Sequence, residues 1–271
     1  MLEIKKISFS YNRNKILEEI DLTIEQGKIV GLIGENGVGK TTFMKIVSGI
    51  YIPQSGELTC NANRIGALIE NPWMYTDLSV YENMKFFAEL YTMSQDIMQT
   101  IMKNVGIWDY RKKIVNKLSL GMKQRVGVAI AMLASDEFIL LDEPTNGLDP
   151  VGIRSFLSMI KNVNHLYGTT FIISSHIFQN LEGICDEVYR IQNRKIFDIY
   201  DMPGKYTHYL TFPMKKRESI LELLNRKDIS YDIRNEKVLL ENKMHDKKFL
   251  KALDELETTI HRRTLQEVYF E

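Results

Sequence analysis

The sequence predicts an α/β protein: a mostly parallel sheet covered by helices, followed by a small α+β appendage. Phe138–Leu141 and Thr169–Ser174 are short and almost wholly apolar, as strands buried on both faces of a parallel sheet must be. Around them run longer segments of helical periodicity, of which Ser119–Ala134 has one very apolar face. After Met202-Pro203-Gly204 the pattern changes to strand and helix signals in the order βαββαβ, the ferredoxin-like arrangement. A length of 271 residues suits one large domain with an addition, at ~150 residues per domain. The boundaries follow as 1–204 and 205–271, with a helical subdomain over about 72–135 inside the first.

Taken in order, Leu2–Phe9, Ile20–Ile24 and Lys28–Ile33 read as strands, and a glycine-rich loop leads into an amphipathic helix through Ile46. Ser79-Val80-Tyr81-Glu82 is a capping box, in which the hydroxyl and the carboxylate each satisfy a backbone N–H of the other residue, and it opens a helix towards Tyr91. Residues from about Gln95 to Lys117 read as helical, and another helix begins near Val151, just after Pro150. In the appendage Tyr206–Phe212 is a strand and Lys215–Arg226 a helix. Ile229–Arg234 and Lys237–Glu241 form a hairpin around Asn235-Glu236, and Asp246–Leu256 and Thr258–Arg262 are the last helix and strand.

Composition narrows the function classes. Hydrophobic residues at 44% and charged residues at 26% match an ordinary globule. Lys+Arg 35 against Asp+Glu 35 leaves no net charge, so there is no global pull towards nucleic acid or anionic lipid. Cys60 and Cys185 lack metal-ligand spacing and read as small buried hydrophobes in a reducing compartment. The start, MLEIKKISFSY, has no signal-peptide core, and the longest apolar run, Val126–Ala134, is far short of the ~20 residues that cross a bilayer. The expectation is a chain that neither spans a membrane nor is secreted.

The chemistry begins at Gly34-Glu35-Asn36-Gly37-Val38-Gly39-Lys40-Thr41, with Thr42 next, which fits GxxxxGK[ST] between a strand and a helix. Glycines let successive N–H groups curl towards phosphate oxygens, and the helix dipole adds positive potential there. Lys40 can reach the β- and γ-phosphates of a nucleoside triphosphate, and the Thr41 hydroxyl can ligate Mg²⁺. The apolar strand Phe138–Leu141 ends in Asp142-Glu143. Asp142 can hold Mg²⁺ through water, and Glu143 can polarise the attacking water. Standing alone, this pair would read as a solvated acidic strand end.

Leu118-Ser119-Leu120-Gly121-Met122-Lys123-Gln124-Arg125 resembles the signature of ABC-type ATPases, usually written LSGGQ. The resemblance spans roughly residues 1–200 in the order Tyr11, phosphate loop, Glu70, signature, Asp142-Glu143, Gly147-Leu148-Asp149, His176. It implies a P-loop NTPase core, ATP and Mg²⁺ as cofactors, and ATP hydrolysis coupled to transport. Tyr11 would stack on adenine. Ser119 and Gly121, at a helix start suited to anions, would hold the γ-phosphate bound by a second copy in a head-to-tail dimer. Asp149 would communicate across that dimer, and His176 would contact the γ-phosphate and orient water. On their own, Tyr11 and His176 read equally as a packed aromatic and a structural histidine.

Leu120 replaces a signature glycine, Met122 stands where Gln is usual, and Glu70 stands where most members carry the Gln that ligates Mg²⁺ and the attacking water. Glu70 would bring a formal negative charge there, or be a solvated loop carboxylate. The segment Leu68–Asn83 resembles the variant loop of transporters that protect Gram-positive bacteria against lantibiotics and bacitracin-like peptides, and the small C-terminal unit, ending Leu265 to Phe270, is similar to the tail of exporter-type ATPases of drug and antimicrobial peptide systems. The resemblance implies export through a separate multi-span membrane permease, at the cytoplasmic face of the membrane and with no nucleic acid partner. The aromatic region Asn71–Tyr91, with Trp73, Tyr75, Tyr81, Phe86 and Phe87, would receive the permease. The alternatives are a soluble ABC protein acting on ribosomes or nucleic acid, which usually carries tandem units or a basic insertion, and a P-loop transferase, which gives no reason for LSLGMKQR.

Overall fold

The computed structural model describes residues 1–70, 74–177, 181, 183–199, 206–234, 237–241 and 247–263. They form two compact units, Met1–Phe197 and Asp198–Glu271. Trp73, the Met202-Pro203-Gly204 boundary, the Asn235-Glu236 turn and the Leu265–Phe270 tail lie outside the described residues.

The first unit holds two sheets. β1 (Leu2–Tyr11) pairs antiparallel with β2 (Asn14–Ile24) and with β4 (Ser55–Cys60). The second sheet contains β3 (Ile29–Ile33), β5 (Gly66–Leu68), β6 (Phe138–Leu141), β7 (Thr170–Ser175), β8 (Glu187–Gln192) and β9 (Lys195–Asp198), in the order β5-β6-β7-β3-β8-β9. Every pairing from β5 to β8 is parallel. β3, β6 and β7 are buried at every residue; β3 and β6 carry no polar side chain, and β7 only the hydroxyls of Thr170, Ser174 and Ser175.

α1 (Lys40–Val47) follows the loop after β3, and Phe43, Met44, Ile46 and Val47 bury themselves in a core shared with Leu2, Ile4, Leu17, Val30, Leu32 and Ile172. That burial fixes α1 between the two sheets, so the loop at its start has a rigid footing. α2 (Val80–Leu90) begins with the expected capping box. α4 (Leu120–Ala134) and α5 (Pro150–Tyr167) also match the sequence expectation.

α3 (Gln95–Asn104) is shorter than its periodicity predicts. The helical stretch stops before Gly106, whose φ of 76° lies in the left-handed region, and residues Trp108–Tyr110 and Val115–Lys117 form only 3₁₀ turns. Gly is the usual residue just past a helix end because it carries no Cβ penalty there. β2 begins at Asn14 rather than Ile20. Register shifts in its pairing with β1 break the alternation that would have revealed the longer strand.

The second unit is the βαββαβ unit expected. β10 (Tyr206–Thr211), α6 (Arg217–Arg226), β11 (Tyr231–Arg234), β12 (Lys237–Glu241), α7 (Lys247–Glu255) and β13 (Thr259–Arg262) follow in sequence. The strands lie in the order β11-β12-β10-β13, all antiparallel. Leu210, Val238 and Leu240 point from the sheet onto Ile220, Leu224, Phe249 and Leu253 of the two helices. Among the described residues of the whole chain, no helix is long and apolar enough to cross a membrane.

Candidate functional site

Parallel pairing assembles the site. Ile33 of β3 pairs with Ser175 of β7, Leu141 of β6 with Ile173 of β7, and Leu68 of β5 with Leu141. The residues just beyond these ends, Gly34, Glu70, Asp142, Glu143 and His176, therefore leave the sheet along one carboxyl edge, where open α/β sheets bind ligands.

The loop from Gly34 to Thr41 follows from its glycines. Gly39 has a φ of 116°, and a Cβ there would stand 2.9 Å from Ile16 Cγ2, so no side chain fits. Glu35 and Asn36 are exposed at its tip, and the Val38 N–H donates to the Glu35 carbonyl at 3.3 Å. α1 then starts with no side-chain cap and no acidic residue in its first turn. By contrast α2, α3, α4 and α5 are capped by Ser79, Ser94, Ser119 and Asp149. The first N–H groups of α1 thus have no side-chain acceptor of their own and, with the helix dipole, suit a phosphate.

Lys40 is buried, with its Nζ donating to the carbonyls of Gly34 at 2.7 Å and Glu35 at 3.1 Å. It also lies 3.1 Å from Glu143 Oε1. The Thr41 hydroxyl donates to Asp142 Oδ2 at 2.7 Å. The other oxygen, Oδ1, accepts from the Ser174 hydroxyl at 2.6 Å, and Ser174 in turn accepts from the Glu143 N–H at 2.8 Å. Glu143 has a φ of 49°, a left-handed conformation that costs a non-glycine residue on the order of 1–3 kcal/mol and persists only where its surroundings hold it. His176 supplies part of that hold, since its Nδ1 lies 2.8 Å from Glu143 Oε2 and its N–H donates to the same oxygen at 3.3 Å. Glu143 Oε1 is buried with the Lys40 ammonium at ion-pair distance but no hydrogen-bond partner. The two carboxylate oxygens thus face different partners, Lys40 on one side and His176 on the other.

The donor set fits Mg²⁺. A hydroxyl and a carboxylate are hard oxygen ligands, and Mg²⁺ at nucleotide sites uses one or two protein oxygens with phosphates and waters. Thr41 and Asp142 would hold the ion, with its remaining positions open to phosphates and water.

The remaining expected residues are arranged around this cluster. The Tyr11 ring packs edge-on against Phe9 and Tyr51, with centroids 5.1 and 5.8 Å away, and leaves 43% of the residue exposed. Its hydroxyl lies 3.3 Å from Thr42 Oγ1, which ties the aromatic to α1. Ser119 Oγ accepts the Met122 N–H at 3.4 Å and Asp149 Oδ1 the Gly152 N–H at 2.8 Å, so the hydrogen bonds of both side chains are local caps. Gly121 sits one residue inside α4, facing Leu148. The Glu70 carboxylate is paired with Lys45 at 2.6 Å and is 63% exposed; the described hydrogen bonds do not join it to Thr41 or Asp142. That bond, opposed by burial, raises the Lys45 pKa above its ordinary value.

Sequence reasoning missed two residues here, Ser174 and Lys45. The signal for Ser174 was a hydroxyl directly after the apolar run Phe171-Ile172-Ile173 of a buried strand. Lys45 carried none beyond its spacing of four residues from Thr41, which places it on the same helix face.

A family model described as ABC transporter matches residues 17–146. The lantibiotic transport ATP-binding protein SrtF of Streptococcus pyogenes is 38% identical over 204 residues, covering 72% of this chain and 89% of that protein. The bacitracin transport ATP-binding protein BcrA of Enterococcus faecalis is 32% identical, covering 82% of this chain and 78% of that protein. Among solved structures, cbiO1 of Clostridium perfringens, described as part of the ABC transporter complex cbiONQ, superposes with a TM-score of 0.66 at 26% identity, covering 72% of this chain and 86% of that one. An alignment that close along most of a named relative, meeting the phosphate-binding edge described above, makes this chain a member of the ATP-binding subunits of ABC transporters, and so an ATPase.

Proposed function

We propose that this ATPase subunit powers export of a lantibiotic- or bacitracin-like antimicrobial peptide through a separate multi-span membrane permease, from the cytoplasmic face of the membrane. The observation that carries the chemistry is the placement of Glu143 Oε1 3.1 Å from the Lys40 ammonium, on a carboxylate whose other oxygen is held by His176. The peptide class is supported by the names of SrtF and BcrA.

In this reading the N–H groups of Gly34–Thr41 and the Lys40 ammonium bind the β- and γ-phosphates of ATP, while Tyr11 stacks on adenine. Glu143 Oε1 takes a proton from water as its oxygen bonds to the γ-phosphorus and the bond to the ADP oxygen breaks. His176 keeps the carboxylate aimed. Mg²⁺ bound by Thr41 and Asp142 would neutralise phosphate charge. Glu70 would add an oxygen at Mg²⁺ or the attacking water only by exchanging its Lys45 partner. Ser119 and Gly121 at the start of α4 bind the γ-phosphate held by a second copy, and Asp149 faces that copy. Two ATP molecules are thus sandwiched between two chains.

Tyr75 and Phe86, in edge contact at 4.9 Å and exposed by 50% and 41%, make the apolar surface offered to the permease. The test is to tag the Glu143→Gln chain, solubilise native membranes gently with ATP present, and identify what co-purifies. A stoichiometric multi-span membrane protein is expected. Recovery with ribosomes or nucleic acid alone would overturn the transport reading.

A further inference from the structure

Lys45 has no part in the motifs, yet it meets the most unusual residue of the site. It lies one turn beyond Thr41 on α1, with its Nζ 2.6 Å from Glu70 Oε1, and only 20% of its side chain is exposed against 63% for Glu70. The ammonium also sits over the Tyr51 ring, 5.6 Å from the centroid, and Tyr51 packs against Tyr11. Glu70 emerges two residues past Leu68, whose carbonyl accepts the Asp142 N–H at 2.8 Å. Lys45 therefore joins the aromatic cluster of Tyr11 to the loop that starts beside Asp142. A triphosphate approaching this edge meets Asp142, Glu143 and Glu70, and like charges there oppose its binding. A neutral residue in place of Glu70 would need no counter-charge.

Resting on the ATP site argued above, we propose that Lys45 is a positioning residue for nucleotide binding. It holds and neutralises the Glu70 carboxylate, so that ATP binds against a paired charge rather than a bare one. A surface ion pair serving the fold alone would move the melting temperature and leave nucleotide affinity untouched.

The test titrates a fluorescent ATP analogue into the full chain, in EDTA and then in Mg²⁺. Wild type, Lys45→Met, Lys45→Arg, Glu70→Gln and the Lys45→Met/Glu70→Gln double variant are compared, each with a melting curve. In EDTA, Lys45→Met is expected to weaken binding by about two- to fivefold, the scale of one partly exposed pair, and the loss should shrink as salt is raised. Lys45→Arg keeps wild-type affinity because it keeps the charge. The double variant recovers wild-type affinity, a coupling that the mutant cycle isolates. Wild-type affinity in Lys45→Met overturns the proposal, as does a loss that persists in the double variant, which would mean that Lys45 acts on the nucleotide directly. Wild type failing to bind the analogue would sink the ATP-site reading itself, a result distinct from both.

Discussion

Replacing Ser174 by Ala tests whether the carboxylate pair is held by the strand beside it. The Ser174 hydroxyl is fully buried, donates to Asp142 Oδ1 at 2.6 Å and accepts the Glu143 N–H at 2.8 Å. A hydrogen bond to a charged group is worth about 1.5–3 kcal/mol, and a buried N–H stripped of its acceptor costs about 1–3 kcal/mol. One atom makes both bonds, so the costs overlap and we take about 3 kcal/mol for the pair. For a unit of this size each kcal/mol moves the midpoint by about 2–4 °C, so the melting temperature should fall by about 6–12 °C. The second readout is the Mg²⁺ dependence of ATP hydrolysis. Losing a partner that orients a metal ligand commonly costs 10–100-fold in metal affinity, so half-saturating Mg²⁺ should rise by about tenfold or more. A melting temperature within about 1 °C of wild type would refute the hydrogen-bond reasoning. A lower one with an unchanged Mg²⁺ requirement would leave Ser174 a support of the fold and refute its part in the site.

Glu143→Gln should cut phosphate release by about 10²–10⁴-fold while the chain still binds ATP. Glu70→Gln should retain substantial hydrolysis, since Thr41 and Asp142 remain at the metal, and a loss as deep as that of Glu143→Gln would sink that distinction. Gly39→Ala places a Cβ 2.9 Å from Ile16 Cγ2 at a φ of 116°; it should lose nucleotide binding in a fluorescence titration, and retention would show that the loop can shift. Both cysteines are half-buried rather than buried as expected, yet burial, aided by Asp186, pushes the Cys185 thiol up to about 12, so little of it is thiolate at pH 8. A thiol reagent should therefore label Cys60 well before Cys185, and equal rates by mass spectrometry would contradict the burial. Burial, with a smaller contribution from Arg262, lowers the pKa of His208 below its ordinary 6.5. The folded state thus resists protonation, and its stability is fully present above pH 6.5 and is lost as pH falls from there through the depressed value. Melting curves between pH 7.5 and 5.5 should fall less steeply in His208→Asn, and parallel curves would remove His208 as the cause.

The phosphate loop was legible because its contacts come from consecutive residues: Gly39, Lys40 and Thr41 bring curvature, charge and hydroxyl within one strand-to-helix junction. β3, β6 and β7 were legible because burial on both faces leaves no polar alternation to confuse. β4 escaped because SGELTC is mostly exposed and half-buries only Leu58 and Cys60, and β5 because three residues show no period. The over-long reading of α3 ignored a stop signal, Gly106, that was present. The site was harder where partners come from different strands. Ser174 reaches Asp142 across 32 residues and Lys45 reaches Glu70 across 25, and no local pattern encodes such a meeting. The consequence is sharpest at Glu70. Read along the chain it is one neutral residue exchanged for a charged one, and the family's role for that position transfers with an added negative charge. In three dimensions the exchange comes with a lysine 2.6 Å away, so the change at this position is from a neutral group to an ion pair. The electrostatics of ATP binding then depend on Lys45 as much as on the residue that the motif singles out.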